Sequence, residues 1–376
     1  MKVVVAIDSF KGSLTSLQAG NAVKDAIERL DKSSTVVVKP LADGGEGTVD
    51  ALASGLNSQM IELRVTGPLS APVAAKYCIL NDTQTAVIEM AAASGITLIS
   101  STERNPLETT TYGVGELIKD AIHRGCRRFI VGIGGSATND GGTGMLTALG
   151  YTFLDKHSKP IALGAKGLKN LHEIKLDNVI PELAECSFYI ACDVTNPLCG
   201  EQGCSAVYGP QKGATPKMIQ DMDSWLATYA QIAKGVCANA DKDYPGTGAA
   251  GGLGFAFLTF TNAVLQSGID IILQEIDMEE TIKSADIVVT GEGRLDAQTI
   301  MGKAPIGVAK LAKKYNKKVI AFSGCVTKDA EVCNDYGIDA YFPILRSVTT
   351  LEEALDPNNA YQNLSATAYQ VFRLLV

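Results

Sequence analysis

The chain opens on an unbroken apolar run, Val3-Val4-Val5-Ala6-Ile7, the pattern of a parallel strand buried on both faces. Thr15-Ser16-Leu17-Gln18 reads as a capping box, and Val23, Ala26, Ile27 and Leu30 follow at the spacing of one helix face. A second strand over Thr35 to Lys39 completes a β-α-β unit, whose crossover is right-handed. The pattern changes after about residue 58. Ile61 to Val65, Ala74 to Leu80 and Thr85 to Met90 predict strands separated by Gly67-Pro68 and Asn81-Asp82, closer to an antiparallel meander. Val114, Leu117, Ile118, Ala121 and Ile122 then form a helix face ending near Gly125, ahead of a strand over Phe129 to Ile133. Another short strand covers Phe188 to Cys192, and 218 to 237 predicts a helix carrying the only tryptophan, Trp225. From about residue 285 the first style returns. Strands are predicted over Asp286 to Thr290, Lys317 to Phe322 and Ala340 to Ile344, with Ile306 to Leu311 in a helix and a closing helix over Asn363 to Leu375.

These elements predict an α/β chain of two domains. Residues 1–58 and 268–376 form a discontinuous, doubly wound parallel-sheet domain, and residues 59–267 form an inserted α/β domain with a mixed sheet. A length of 376 residues suits that division. With 46% hydrophobic and 20% charged residues the chain reads as globular, and its 37 glycines cluster in loops. The formal charge of -8, from 33 basic and 41 acidic residues, argues against a nucleic-acid partner. The first eight residues hold too short an apolar run for a signal peptide, and no stretch reaches the roughly 18 apolar residues of a membrane span. No membrane partner and a cytoplasmic location are expected. Nine cysteines without a Cys-x-x-Cys pair, several of them (Cys78, Cys192, Cys325) in apolar segments, read as buried reduced thiols.

The candidate chemistry lies in glycine-rich loops at predicted strand ends. Glycine permits positive φ and lets an anion approach the main chain. Two named phosphate motifs fail. Gly246-Thr247-Gly248-Ala249-Ala250-Gly251 fits the dinucleotide pattern but follows a polar turn instead of a strand, and Gly302-Lys303 lacks the rest of a P-loop. In Asp8-Ser9-Phe10-Lys11-Gly12-Ser13 a strand hands over to a helix, so Lys11, Ser13 and the amides can hold an anion; a turn with an exposed lysine is the plainer reading. Asp43 and Glu46 bracket Gly44 and Gly45, an arrangement suited to Mg²⁺ beside a phosphate, or to a turn and helix cap. Gly134-Gly135-Ser136 leads to Thr138, Asn139 and Asp140 in a loop too rich in glycine to be a mere connector. Asp193 ends a strand ahead of Asn196-Pro197, and Gln211-Lys212 adds an amide and a cation. Gly251-Gly252 forms a further glycine pair. Gly291-Glu292-Gly293-Arg294-Leu295-Asp296 adds an arginine suited to bidentate anion binding; a surface ion pair between Arg294 and Asp296 is its rival. The three histidines lie in polar surroundings away from these loops. A small-molecule kinase is the reading that joins these features.

The segments Asp8 to Ser13, Asp43 to Gly47, Gly134 to Gly142, Asp193 to Leu198, Gly209 to Gly213, Gly248 to Gly254, and Gly291 to Asp296 with Gln298-Thr299 and Gly302-Lys303 resemble, in order, the bacterial glycerate kinase family. The resemblance implies ATP-dependent phosphorylation of D-glycerate with Mg²⁺ in the cytoplasm, serving glyoxylate or sugar-acid breakdown. It also implies a flavodoxin-like domain with a second α/β domain inserted, and in-line transfer at an interdomain cleft. Phosphoryl transfer calls on positioning and charge neutralisation more than on nucleophiles. On that footing Lys11, Lys212 and Lys303 are expected to meet phosphate or substrate anions, and Asp43 and Glu46 to serve the metal. Arg294 is expected to grip the glycerate carboxylate and Asp193 or Asp296 to accept the hydroxyl proton. Asp8, Ser9, Ser13, Gly44, Gly45, Gly134, Gly135, Ser136, Asn139, Asp140, Asn196, Gln211, Gly251, Gly252, Gly291, Glu292 and Thr299 complete the expected binding set. The 2-hydroxyl is favoured over the 3-hydroxyl. A kinase of another small hydroxy acid and a non-catalytic sensor of a phosphorylated metabolite are the alternatives; a homo-oligomer is compatible with each.

Overall fold

The computed structural model describes residues 1–45 and 47–375. Glu46, one of the two expected metal ligands, lies outside them. In chain order the strands are β1 (Lys2–Ile7), β2 (Thr35–Val38), β3 (Ser58–Thr66), β4 (Pro72–Leu80), β5 (Thr85–Glu89), β6 (Arg128–Gly132), β7 (Thr152–Leu154), β8 (Glu173–Lys175), β9 (Ser187–Ala191), β10 (Ala263–Gln266), β11 (Ile287–Leu295), β12 (Lys318–Val326) and β13 (Ala340–Pro343). The chain separates into two compact units, one made of Met1–Asp43, Asp50–Leu56 and Ile269–Val376, the other of Gly44–Val49 and Asn57–Gly268.

The first unit is built on a five-stranded sheet in the order β13-β12-β11-β1-β2, and each neighbouring pair is parallel. Val3 to Ile7 are fully buried, which is why this segment reads as one apolar run. Helix α1 (Ser16–Leu30) starts where predicted: Thr15 Oγ1 accepts from Gln18 N at 3.2 Å while Gln18 Oε1 accepts from Thr15 N at 2.9 Å. Its buried face, Ala19, Val23, Ala26 and Ile27, shares a core with Val3, Val5, Ile7, Leu364 and Phe372.

Three expectations for this unit need correction. β11 does not stop at Thr290; it runs to Leu295, paired with β12 as far as Leu295↔Val326, so Gly291 to Leu295 is strand and not loop. A Cβ on Gly291 would lie 2.0 Å from Phe322 O, so this glycine permits close approach of two backbones. The closing helix spans Pro357–Phe372, starting earlier than predicted because Asp356 caps it, its Oδ1 accepting from Asn359 N at 2.9 Å. Cys325 is exposed, since β12 has by then passed the core; all nine cysteines are free thiols.

The second unit carries a six-stranded mixed sheet, β10-β9-β6-β5-β4-β3, in which β10, β9, β6 and β5 are parallel and β5, β4 and β3 antiparallel. The predicted meander is therefore one flank of a larger sheet. Phe129 on β6 stacks on Phe188 of β9 with centroids 4.7 Å apart, and Phe257 and Tyr229 extend the same core. The helix predicted around Trp225 is Pro216–Lys234. The short antiparallel pair β7-β8, the helix Ala249–Phe260 and strand β10 were not predicted. Among the described residues no helix is long and apolar enough to cross a membrane.

Candidate functional site

In the first unit, chemistry gathers at the carboxyl ends of the central strands. β1 and β11 pair through Ile7↔Gly291, so Asp8 and Glu292 follow side by side. Asp8 N donates to Gly291 O at 2.9 Å, and Asp8 Oδ1 accepts from Ser9 N at 2.7 Å. Burial pushes the Asp8 carboxyl up to about 7; the nearby charges of Asp43 and Glu292 add to the rise, while the Ser9 amide and Lys11 oppose it. Burial also raises the pKa of Glu292, whose Oε1 accepts from Thr299 Oγ1 at 2.7 Å. Lys303 stands between two acids, 3.4 Å from Glu292 Oε2 and 3.7 Å from Asp296 Oδ1. Arg294, its side chain 65% exposed, lies 3.2 Å from Asp296 Oδ2. The bland ion pair is thus present, and the guanidinium still faces solvent. Phe10 to Leu14 form a tight turn in which Gly12 takes φ +79° and Ser13 Oγ is buried with no partner among the described residues.

In the second unit the loop after β6 is organised by Lys212. This lysine is only 2% exposed, and its Nζ donates to Ser136 Oγ at 2.7 Å and to Thr138 O at 2.6 Å. Burial lowers its pKa to about 8. Asp140 is fully buried, accepting from Thr111 N (2.9 Å), Thr111 Oγ1 (2.8 Å), Gly142 N (3.1 Å) and Gly144 N (3.2 Å). Burial raises its pKa even so. Asn139 Nδ2 donates to Ser205 Oγ at 2.8 Å, and its buried Oδ1 has no partner among the described residues. Gly251 and Gly252 serve packing: a Cβ on the first would lie 2.1 Å from Thr138 O, and on the second 2.8 Å from Gly141 Cα. Gly134 and Gly135 stay exposed at the head of the loop.

The same unit holds a second group at the carboxyl edge of its parallel strands, where Glu89, Gly132, Ala191 and Gln266 stand in register. Asp193, two residues beyond β9, accepts from Gly268 N at 3.2 Å. Gly44 lies against this edge, where a Cβ would come 2.7 Å from both Ala191 Cβ and Gly268 Cα. Glu89 Oε1 accepts from Val49 N at 2.8 Å and so ties down the segment that carries Gly44 and Gly45. Sequence reasoning missed Glu89, although an acid closing the run Ala86-Val87-Ile88 was the available signal. Asn196 is engaged by Tyr208 Oη at 2.6 Å and by Gln202 O at 2.9 Å, and Gln211 O accepts from Arg104 Nη1 at 3.3 Å. All three histidines are exposed.

Among the described residues no group of three or more His, Cys, Asp or Glu is arranged to hold a metal ion. The coupling of Asp8 with Asp43 does fit a cation that arrives already bound to phosphate, because Mg²⁺ takes one or two carboxylates and keeps water and phosphate as its other ligands.

Buried acids beside lysines at parallel strand ends, glycine loops that expose amides, and no histidine in either group together make up the inventory of a phosphotransferase. A sequence profile described as the Glycerate kinase family matches residues 3–376. The chain is 48% identical to a glycerate kinase of Haemophilus influenzae over 100% of its own length and 99% of that protein. It is 45% identical to a glycerate 2-kinase of Escherichia coli, covering 97% of this chain and 95% of the relative. It superposes with a TM-score of 0.93, at 44% identity, on a crystal structure from Salmonella typhimurium LT2 assigned as glycerate kinase 2, covering 100% of this chain and 98% of that one. The chain belongs to the glycerate kinase family.

Proposed function

We propose that this enzyme transfers the γ-phosphoryl group of ATP to the 2-hydroxyl of D-glycerate, in line and with Mg²⁺, in the cytoplasm. The carrying observation is the buried acid pair of Asp8, just beyond β1, and Glu292, in the carboxyl half of β11, with Lys303 beside it. Ligands of doubly wound sheets bind beyond those strand ends. The order β2-β1-β11-β12-β13 supports a flavodoxin-like reading of residues 1–58 and 268–376, with 59–267 as the inserted domain.

Asp43, with Glu46, would hold Mg²⁺, which when bound would shield phosphate charge; Asp8 adds negative charge close by. Lys11 and Lys303 meet phosphate oxygens, helped by Ser9, Ser13 and Thr299. Arg294, exposed as its role requires, takes the substrate carboxylate in a bidentate pair. Gly44, Gly45, Gly134, Gly135 and Ser136 offer amides and a hydroxyl to bound anions. Lys212 acts on the same loop from beneath, by holding Ser136 and the Thr138 carbonyl. Asn139, Asp140, Gly251 and Gly252 support the loop from within, and Asn196 and Gln211 shape its surroundings. Asp193 or Asp296 accepts the hydroxyl proton.

The test is ADP release with ATP, Mg²⁺ and a panel of small hydroxy acids. Release that depends on D-glycerate and on Mg²⁺ is expected. A faster reaction with another hydroxy acid would reassign the substrate, and tight binding without turnover would point to a sensor.

A further inference from the structure

One edge of the six-stranded sheet is β3, nine residues paired with β4 from Ser58↔Leu80 to Thr66↔Pro72. Asn57 O accepts from Asn81 N on the β4 side, so by strand alternation the backbone groups of Ile61, Leu63 and Val65 also face β4. Those of Met60, Glu62 and Arg64 face outward. At the carboxyl end of the strand the outward side is closed, where Thr66 N donates to Glu116 Oε2 at 2.6 Å. The side chains alternate as well, with Ile61 and Val65 buried and Met60, Glu62 and Arg64 exposed. Lys76 lies opposite Glu62 on β4, yet neither Glu62 nor Arg64 has a hydrogen-bond or ion-pair partner among the described residues. The strand contains no proline. The outward backbone groups from Met60 to Arg64 make this edge a template for a further strand.

We propose that two copies of this chain associate through antiparallel β3–β3 pairing about a two-fold axis at Leu63, joining their mixed sheets into one. The occupant follows from charge complementarity. In that register Glu62 of each copy lies opposite Arg64 of the other, and both belong to the outward set, so their backbones exchange hydrogen bonds. The neighbouring registers of the same backbone parity set Glu62 against Glu62 or Arg64 against Arg64, which like-charge repulsion disfavours. Charge on an edge can also serve to keep other strands away. Edge charges of that purpose are as effective with one sign, whereas this pair is self-complementary under a two-fold axis.

Sedimentation equilibrium of the full chain tests the proposal. The wild type should sediment at twice 39.6 kDa. Glu62→Arg and Arg64→Glu should each give a monomer, because each sets like charges in opposition. The double variant Glu62→Arg/Arg64→Glu restores the complement and should recover the dimer, which a folding defect would not do. Circular dichroism and unchanged ADP release confirm that each exposed substitution leaves the fold intact. A monomeric wild type at the highest soluble concentration overturns the proposal, as does a dimer that survives both single substitutions.

Discussion

Lys212 shows how a single residue changes meaning once its surroundings are known. Its residue type and neighbours lead to the expectation of a cation that meets phosphate or substrate anions; it is buried and donates to Ser136 and Thr138, organising the loop proposed to meet the anion. Burial lowers its pKa to about 8. The unfolded chain therefore binds more protons than the folded one between about pH 8 and 10.5, and stability from this group rises with pH across that window and is lost as pH falls through 8. Relative to Lys212→Met, the wild type should gain on the order of 3 kcal/mol in denaturant-measured stability over that range. A constant difference would mean that the lysine is neutral or solvated throughout. Asp140 and Gly251 teach the same lesson from the other side. Both sit in glycine-rich segments whose composition advertises a ligand, yet one accepts four hydrogen bonds within the fold and the other lets backbones touch. Composition points to the loop, and only packing separates the groups that support it from those that face outward.

At the scale of elements, apolar runs and caps were readable wherever local physics decides. β1 and α1 are found where the Val-rich run and the Thr15 box put them. The failures have a common cause. β11 was cut short because Gly291 looks like a breaker, when its missing side chain lets β11 lie against β12. β7, β8 and β10 are three or four residues long and acquire their meaning from tertiary partners. A specific expectation follows for β11. Gly291→Ala would drive a methyl into the Phe322 carbonyl and should cost roughly 1–3 kcal/mol in urea denaturation. A neutral result would show that these strands can part without loss.

For the whole molecule, the presence of parallel and mixed sheets could be anticipated from the switch between β-α-β and meander patterns. The spatial order of the strands could not, because crossovers joining residues hundreds of positions apart leave no periodic trace. That order sets Asp8 beside Glu292 across most of the chain length, and with it the acidic edge on which the proposed chemistry rests. The most direct measurement is phosphorus NMR of the purified enzyme with ATP, Mg²⁺ and D-glycerate. The account predicts a phosphomonoester resonance coupled to the C2 proton of glycerate, growing in step with ADP. Inorganic phosphate alone, or no change in ATP, would contradict it.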